Sequence, residues 1–318
     1  MSVPTGRVAG AVAALPPSSF FLTSAVFHCL GPSLAVLLFA HVGVLGVAWL
    51  RIASAAVVFA LWRRPWRVLR RATPDRRRVL LALGAVLAAM NSLFYLAVDR
   101  LPLATVGAVE FLGTILLAAA GARTGRNLFA LVLAVGGVAV LTDLRLAGEP
   151  LGFAFAFANC AGFVLYVVLG HRVASSGAGP LGGIDQLGAA MLVAAAVATP
   201  VGVHQAAAAF GHPLWLTWGV GVGLCSSVVP YVTDQLAMAR LPRATFALML
   251  ALLPATATAI GLLVLAQVPT GRDLVGVALV IAGVAAHQTA ADPALTRDRA
   301  PDAAGTAPRA GRSRPGPA

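Results

Sequence analysis

Long apolar runs, separated by short charged or proline-bearing segments, dominate this chain. They fall near residues 19–40, 43–62, 79–98, 103–121, 127–142, 151–170, 181–202, 214–233, 244–266 and 273–290. None alternates polar and apolar positions along its length, as the strands of a membrane barrel do. Most approach the roughly 20 residues that cross a hydrocarbon core about 30 Å thick. A backbone in lipid must satisfy its own polar groups, so continuous runs of this kind are helices. The pattern predicts an all-α membrane protein with ten transmembrane helices. Residues 1–18 read as a cytoplasmic N-terminal segment, because the apolar stretch Val8–Leu15 is too short to span and ends at Pro16-Pro17. The first retained span begins around Phe20. Residues 291–318 are rich in Pro, Ala, Gly and Arg, which predicts a disordered cytoplasmic tail.

Composition points the same way. The chain has 318 residues, 59% of them hydrophobic and 11% charged, against about 25% charged in a soluble domain. All 23 basic residues are Arg, which with the abundant Ala, Gly, Pro and Val suggests a GC-rich bacterial genome and a bacterial inner (plasma) membrane. A net charge of +12 would suit a nucleic-acid partner, but these Arg sit in loops between apolar runs and no nucleic acid is expected. With the N-terminus in the cytoplasm, 19 Arg fall on inside segments, eight of them between Arg63 and Arg78. Arg100, Arg145 and Arg272 fall outside, and Arg51 lies within a span. That bias predicts both termini in the cytoplasm, with lipid-headgroup contact a secondary role for the 63–78 loop.

The sequence also repeats itself. Leu96-Ala97, Arg100-Leu101-Pro102 and Ala104-Thr105 recur as Leu236-Ala237, Arg240-Leu241-Pro242 and Ala244-Thr245. Thr124-Gly125-Arg126-Asn127-Leu128 recurs as Thr270-Gly271-Arg272-Asp273-Leu274, followed by Gly137 and Gly283. Residues 19–142 and 151–290 therefore read as two five-helix repeats, although the first two helices of each half show no clear match. An odd number of spans per repeat inverts the second copy. Inverted repeats meeting at mid-membrane are an arrangement of alternating-access transporters, with a small-molecule solute bound between the halves.

Few residues inside the spans can carry chemistry. Glu110 is a carboxyl group in mid-span, and its repeat mate is Leu250. Such groups cost a few kcal/mol to insert and usually face a cavity. Glu110 can exchange a proton in each transport cycle, or it can be a neutral acid bonded to a neighbouring helix. Arg51 either pairs with a carboxylate, from Glu110 or the solute, or snorkels to the outer interface. Asp234 follows Pro230 by four residues; the proline frees a carbonyl that can line a polar cavity, and the acid can instead sit at the cytoplasmic interface. Gly31-Pro32 and Pro254 are candidate hinges. Asn91, Tyr95, Asn159, Tyr166 and Tyr231 can hydrogen-bond a polar solute or hold helix to helix. Gly136-Gly137 and Gly283 suit close helix packing.

No catalytic, metal-binding or cofactor-binding constellation is visible. The six His are scattered, and Cys29, Cys160 and Cys225 lie singly in apolar runs. An enzyme is therefore not expected. The rival to a transporter is a membrane scaffold or lipid-interaction protein whose polar residues only bond helices together. A homodimer is left open.

Several stretches carry a family resemblance: Met90-Asn91-Ser92-Leu93-Phe94-Tyr95-Leu96, Leu101-Pro102-Leu103 and Val109-Glu110-Phe111-Leu112-Gly113. Arg51, Trp66-Arg67, Tyr166, Pro230-Tyr231 with Asp234, and Leu241-Pro242-Arg243 with Thr245-Phe246 add to it. Over residues 20–290 the chain resembles the EamA-type drug/metabolite transporters, and within them the threonine/homoserine exporter branch. The resemblance implies ten helices, two EamA repeats and export of small metabolites such as amino acids, coupled to an ion gradient usually thought to be protons. Four positions depart from the branch: Thr114 replaces Pro, Leu253 precedes Pro254 in place of Glu, Ala266-Gln267 replaces Gly-Glu, and Val36 replaces Lys. A site with these replacements implies a different solute or a different coupling from that branch.

Overall fold

The computed structural model describes residues 17–121, 124–142, 149–174, 179–238 and 253–286, and those residues are helices and their connections. In chain order the helices are α1 (Pro17–Leu38), α2 (Val44–Arg63), α3 (Trp66–Arg71), α4 (Pro74–Val98), α5 (Leu103–Gly121), α6 (Gly125–Thr142) and α7 (Pro150–Ala174). They continue as α8 (Gly179–Gln205), α9 (Ala207–Phe210), α10 (Pro213–Gly223), α11 (Val229–Met238), α12 (Leu253–Leu265) and α13 (Gly271–Ala286). Between α10 and α11 the chain widens into a π turn, Leu224–Val228. The N-terminal segment, the 291–318 tail, the Arg240-Leu241-Pro242 corner and Leu250 lie outside the described residues.

Five stretches are long and apolar enough to cross a membrane: Val44–Arg63, Pro74–Val98, Pro150–Gly170, Gly183–Gln205 and Pro213–Thr233. Leu22–Leu38, Leu103–Gly113, Gly125–Leu141 and Leu253–Leu265 are shorter apolar helices among the described residues. Their outward faces carry large apolar side chains such as Leu61, Leu128, Phe129, Val132 and Leu263, as a lipid-facing surface requires.

The helices pack in a definite set of pairs. The most extensive are α6 with α13, α4 with α7, α2 with α8, α4 with α8, and α1 with α11. Further pairs include α5 with α6, α5 with α7, α1 with α12, α2 with α10, α5 with α12, α1 with α10, α5 with α13, α2 with α4, and α12 with α13. Small residues set the closest approaches, because helices in lipid associate through close packing. In the α6–α13 seam, a Cβ on Gly137 would lie 2.6 Å from the Gly276 carbonyl oxygen, and one on Gly283 would lie 2.8 Å from that of Ala130. Gly136 differs from its sequence expectation: a Cβ there would meet nothing within 4 Å, so Gly137 alone of that pair forms the contact.

Candidate solute-binding cavity

Four of the polar side chains buried within the apolar runs, Arg51, Asn91, Glu110 and Asn159, converge on one cleft. It encloses about 440 Å³ of empty space, open solvent included. Arg51 from α2, Asn91 from α4, Glu110 from α5, Asn159 and Tyr166 from α7, and Tyr231 from α11 line it. His28 and Pro32 from α1 and the apolar side chains Met90, Phe94 and Phe163 complete the wall. Six of the eight residues singled out in the sequence thus share a surface. Tyr95 lies beneath it, and Asp234 belongs to α11 but its side chain lies outside the described residues.

Local sequence explains how Arg51 is held. Arg51 is buried, with Nε donating to Ser227 Oγ at 3.0 Å and Nη2 donating to the Ser226 carbonyl at 3.1 Å. Both acceptors belong to the π turn, where Val229 donates five residues back to Leu224. Pro230 follows at once and has no N–H to return to Ser226. The face of Tyr95 supports the cation from below, with Cζ 5.4 Å from the ring centroid. Hydrogen bonds from a charged donor are each worth about 1.5–3 kcal/mol, and a desolvated cation–π contact about 2 kcal/mol. All three partners are neutral, so the positive charge is fixed in place without being cancelled.

Arg51 therefore neither snorkels nor pairs with a described carboxylate. The ion pairs among the described residues are Arg63–Asp185, Arg78–Asp75 and Arg100–Glu149, all near helix ends. Glu110 makes a different connection. Its Oε2 accepts from Nδ2 of Asn159 at 3.0 Å, across the α5–α7 contact. The other amide atom, Asn159 Oδ1, is buried without a hydrogen-bond partner among the described residues. Asn91 spends its Nδ2 on the Leu87 carbonyl in its own helix, at 2.7 Å, and so presents Oδ1 as its remaining polar atom. Tyr166 packs against Phe163, ring centroids 5.9 Å apart, and forms the aromatic side of the cleft. Tyr95 contacts Arg51 through its ring, and its hydroxyl is buried without a partner among the described residues.

Sequence reasoning missed Ser226, Ser227 and His28. The serines look like ordinary small packing residues, and a π turn leaves no compositional mark. The signal available was Pro230, which announced a freed carbonyl without naming its partner. His28 was one of six scattered His, and only the fold sets it beside Arg51 and Glu110 in the cleft.

No family model matches the chain. Over 222 residues it is 34% identical to the threonine/homoserine exporter RhtA of Salmonella typhimurium, covering 68% of this chain and 72% of that protein. Identity to the threonine/homoserine exporter RhtA of Escherichia coli K12 is 33% over the same length and coverage. The chain belongs to the EamA-type transporters, in the branch of these exporters. A solved crystal structure matches with a TM-score of 0.52 at 21% identity, covering 85% of this chain and 96% of that one, and it shows a shared fold alone. The protein is a multi-pass membrane transporter of the bacterial inner membrane rather than an enzyme, and it acts on a small solute.

Proposed function

We propose that this transporter exports a small amino acid by proton-coupled alternating access, and that it is built of ten spans in two inverted five-helix repeats with both termini in the cytoplasm. The observation that carries the solute assignment is that Arg51 and Glu110 face one cavity without forming an ion pair with each other. A cavity with a fixed cation and a separate carboxylate complements a zwitterion: the α-carboxylate goes to the free side of the guanidinium, and the α-ammonium to Glu110. The names of the relatives, threonine/homoserine exporters, support a solute of that size.

The packing pairs support the repeat. Counting α10 and α11 as one span, and leaving α3 and α9 as connections, each span has a counterpart five further on. Under that exchange α4–α7 maps onto α11–α1, α5–α7 onto α12–α1, α4–α8 onto α10–α2, and α5–α6 onto α12–α13. The pairs α2–α8, α5–α12 and α6–α13 map onto themselves. The cleft is lined from both halves, where a rocking motion would open it to each side in turn.

Glu110 and Asn159 form the coupling element. Oε2 accepts from Nδ2, the bond an ionised carboxylate, an acceptor only, can make. Once protonated, the acid can donate to Oδ1 of the same amide turned over, so one side chain serves both states. The test is efflux of labelled amino acids from proteoliposomes with and without an imposed pH gradient. Efflux of at least one amino acid that accelerates with the gradient is expected. Flux indifferent to the gradient removes the proton coupling, and no flux of any amino acid removes the solute class.

A further inference from the structure

We propose that Gln267 is the releasable latch between the two halves of the transporter, holding the α5–α12 seam shut at one membrane face. The inference rests on the two-half reading above and adds which contact parts when the halves rock.

Leu103 opens α5, and its N–H is one of the four that a helix leaves without an internal partner. The residue before it is Pro102, whose side chain has no acceptor to cap the helix. The acceptor comes instead from the other half: Gln267 Oε1, just past the end of α12, takes the Leu103 N–H at 3.3 Å. The α2–α8 seam uses the same device. Gly43 precedes α2 without a side-chain cap, and Gln205 at the end of α8 accepts from the Leu45 N–H at 3.1 Å. Successive spans alternate in direction, so the starts of α2 and α5 lie at the same face, opposite the Arg-rich segment that follows α2. Two glutamines of the second half thus cap two helices of the first at one end of the bundle.

The two seams differ in what else holds them. One turn on from Leu45, Trp49 Nε1 donates to Thr199 Oγ1 at 2.9 Å, and a Cβ on Gly46 would lie 2.6 Å from the Ala206 nitrogen. At the far end of the same seam Arg63 pairs with Asp185. The α2–α8 seam is thereby pinned at both faces. Beside Gln267, by contrast, α5, α12 and α13 enclose about 380 Å³ of empty space, open solvent included, with Thr105, Thr258 and Asp273 on its wall. There the halves meet across a gap, and the bond from Leu103 bridges it. Gln267 is itself held in position: Ala266 before it has φ of 52°, and the Gln267 N–H is tied to the Gly261 carbonyl. One neutral hydrogen bond shifts a two-state equilibrium by about three- to tenfold, enough to bias a gate without locking it.

The test reads the opening directly, without a solute. Thr105 lines the gap and is 1% exposed, so Thr105→Cys reports separation of the seam as labelling by a water-soluble maleimide. Rates are measured in nanodiscs, where both faces are reachable, and the same proteins without Thr105→Cys give the background of Cys29, Cys160 and Cys225. Gln267→Leu removes the acceptor and should raise the Thr105→Cys rate about three- to tenfold, with the thermal transition of the protein retained. Gln267→Glu keeps an acceptor at the start of α5, where the helix dipole favours negative charge, and should leave the rate unchanged or lower. Gln205→Leu should leave it unchanged, because that seam is pinned elsewhere. An unaltered rate in Gln267→Leu, a rise seen only with loss of the thermal transition, or an equal rise in Gln267→Glu or Gln205→Leu overturns the proposal. Efflux assays stand apart from this readout: absence of amino-acid flux removes the solute assignment and leaves the latch as it is.

Discussion

Arg51 donates from Nη2 to the carbonyl of Ser226 at 3.1 Å, and the amide that would hold that carbonyl in a regular α-helix belongs to Pro230. A proline in one span thus leaves an acceptor free, and an arginine in another takes it. The link joins α2 to the π turn, so the guanidinium stays fixed beside the cleft while its charge remains available to a solute.

Restoring the missing donor should disturb this link. Pro230→Ala gives the helix an N–H that competes for the Ser226 carbonyl, and amino-acid efflux should fall several-fold while the protein stays folded. Ser227→Ala leaves Nε of a buried guanidinium unpaired, at a cost of about 1–3 kcal/mol. Arg51→Lys keeps the charge but cannot reproduce the Nε and Nη2 fork, and efflux should fall about tenfold or more. Flux assays beside thermal unfolding of the same preparations separate the two effects. Arg51→Lys at wild-type flux would show that the fork is irrelevant.

The approach of α1 to the π turn gives a second prediction. A Cβ on Gly31 would lie 2.7 Å from the Ser226 nitrogen and 2.8 Å from its Cα, so the backbone itself must move. Gly31→Ala should destabilise by about 1–3 kcal/mol. Gly136→Ala is the control: it meets nothing within 4 Å, and in mid-helix it should be neutral or stabilising by up to about 1 kcal/mol. Thermal unfolding in one detergent ranks the pair, and equal melting temperatures would contradict the contact.

Much of this was legible in the sequence, and the reason differs by feature. The helices were visible because lipid demands long apolar runs, and Arg51 and Glu110 because a charge within such a run is conspicuous. That the polar residues Asn91, Asn159, Tyr166 and Tyr231 face one cleft required the fold, since they come from three different helices. Tyr95 shows the limit of reading by residue type: a tyrosine looks like a hydrogen-bonding group, yet here its ring face carries the contact. The π turn was illegible because one extra residue in a turn changes register without changing composition.

Ala266 offers a test away from the cleft. It ends α12 with φ of 52°, in the left-handed region, while Gln267 N–H donates back to the Gly261 carbonyl at 3.1 Å. Glycine adopts that conformation without the steric penalty of a Cβ, so Ala266→Gly should stabilise by about 1 kcal/mol. Gln267 Oε1 in turn accepts from the N–H of Leu103 at 3.3 Å, tying this corner to the start of α5. A melting temperature lowered by Ala266→Gly would contradict the assigned backbone conformation.

The Arg63–Asp185 pair joins the end of α2 to α8, with Nε 2.6 Å from Oδ1 and both side chains about a quarter exposed. Solvent screening limits its worth, so Asp185→Asn should cost no more than about 1 kcal/mol. The cost should shrink further at high salt, read by unfolding at two ionic strengths. A loss much above that value, insensitive to salt, would mean that the pair is more deeply buried than it stands here.

The central claim is that Glu110 carries the coupling proton in a cleft shared with Arg51, and the most direct measurement compares wild type with Glu110→Gln. Efflux of labelled amino acid from proteoliposomes is followed at several imposed pH gradients, alongside exchange of labelled for unlabelled solute without a gradient. The account predicts that Glu110→Gln abolishes the response to the gradient. Gradient-driven efflux at wild-type rates in Glu110→Gln would contradict it and leave the coupling to another group.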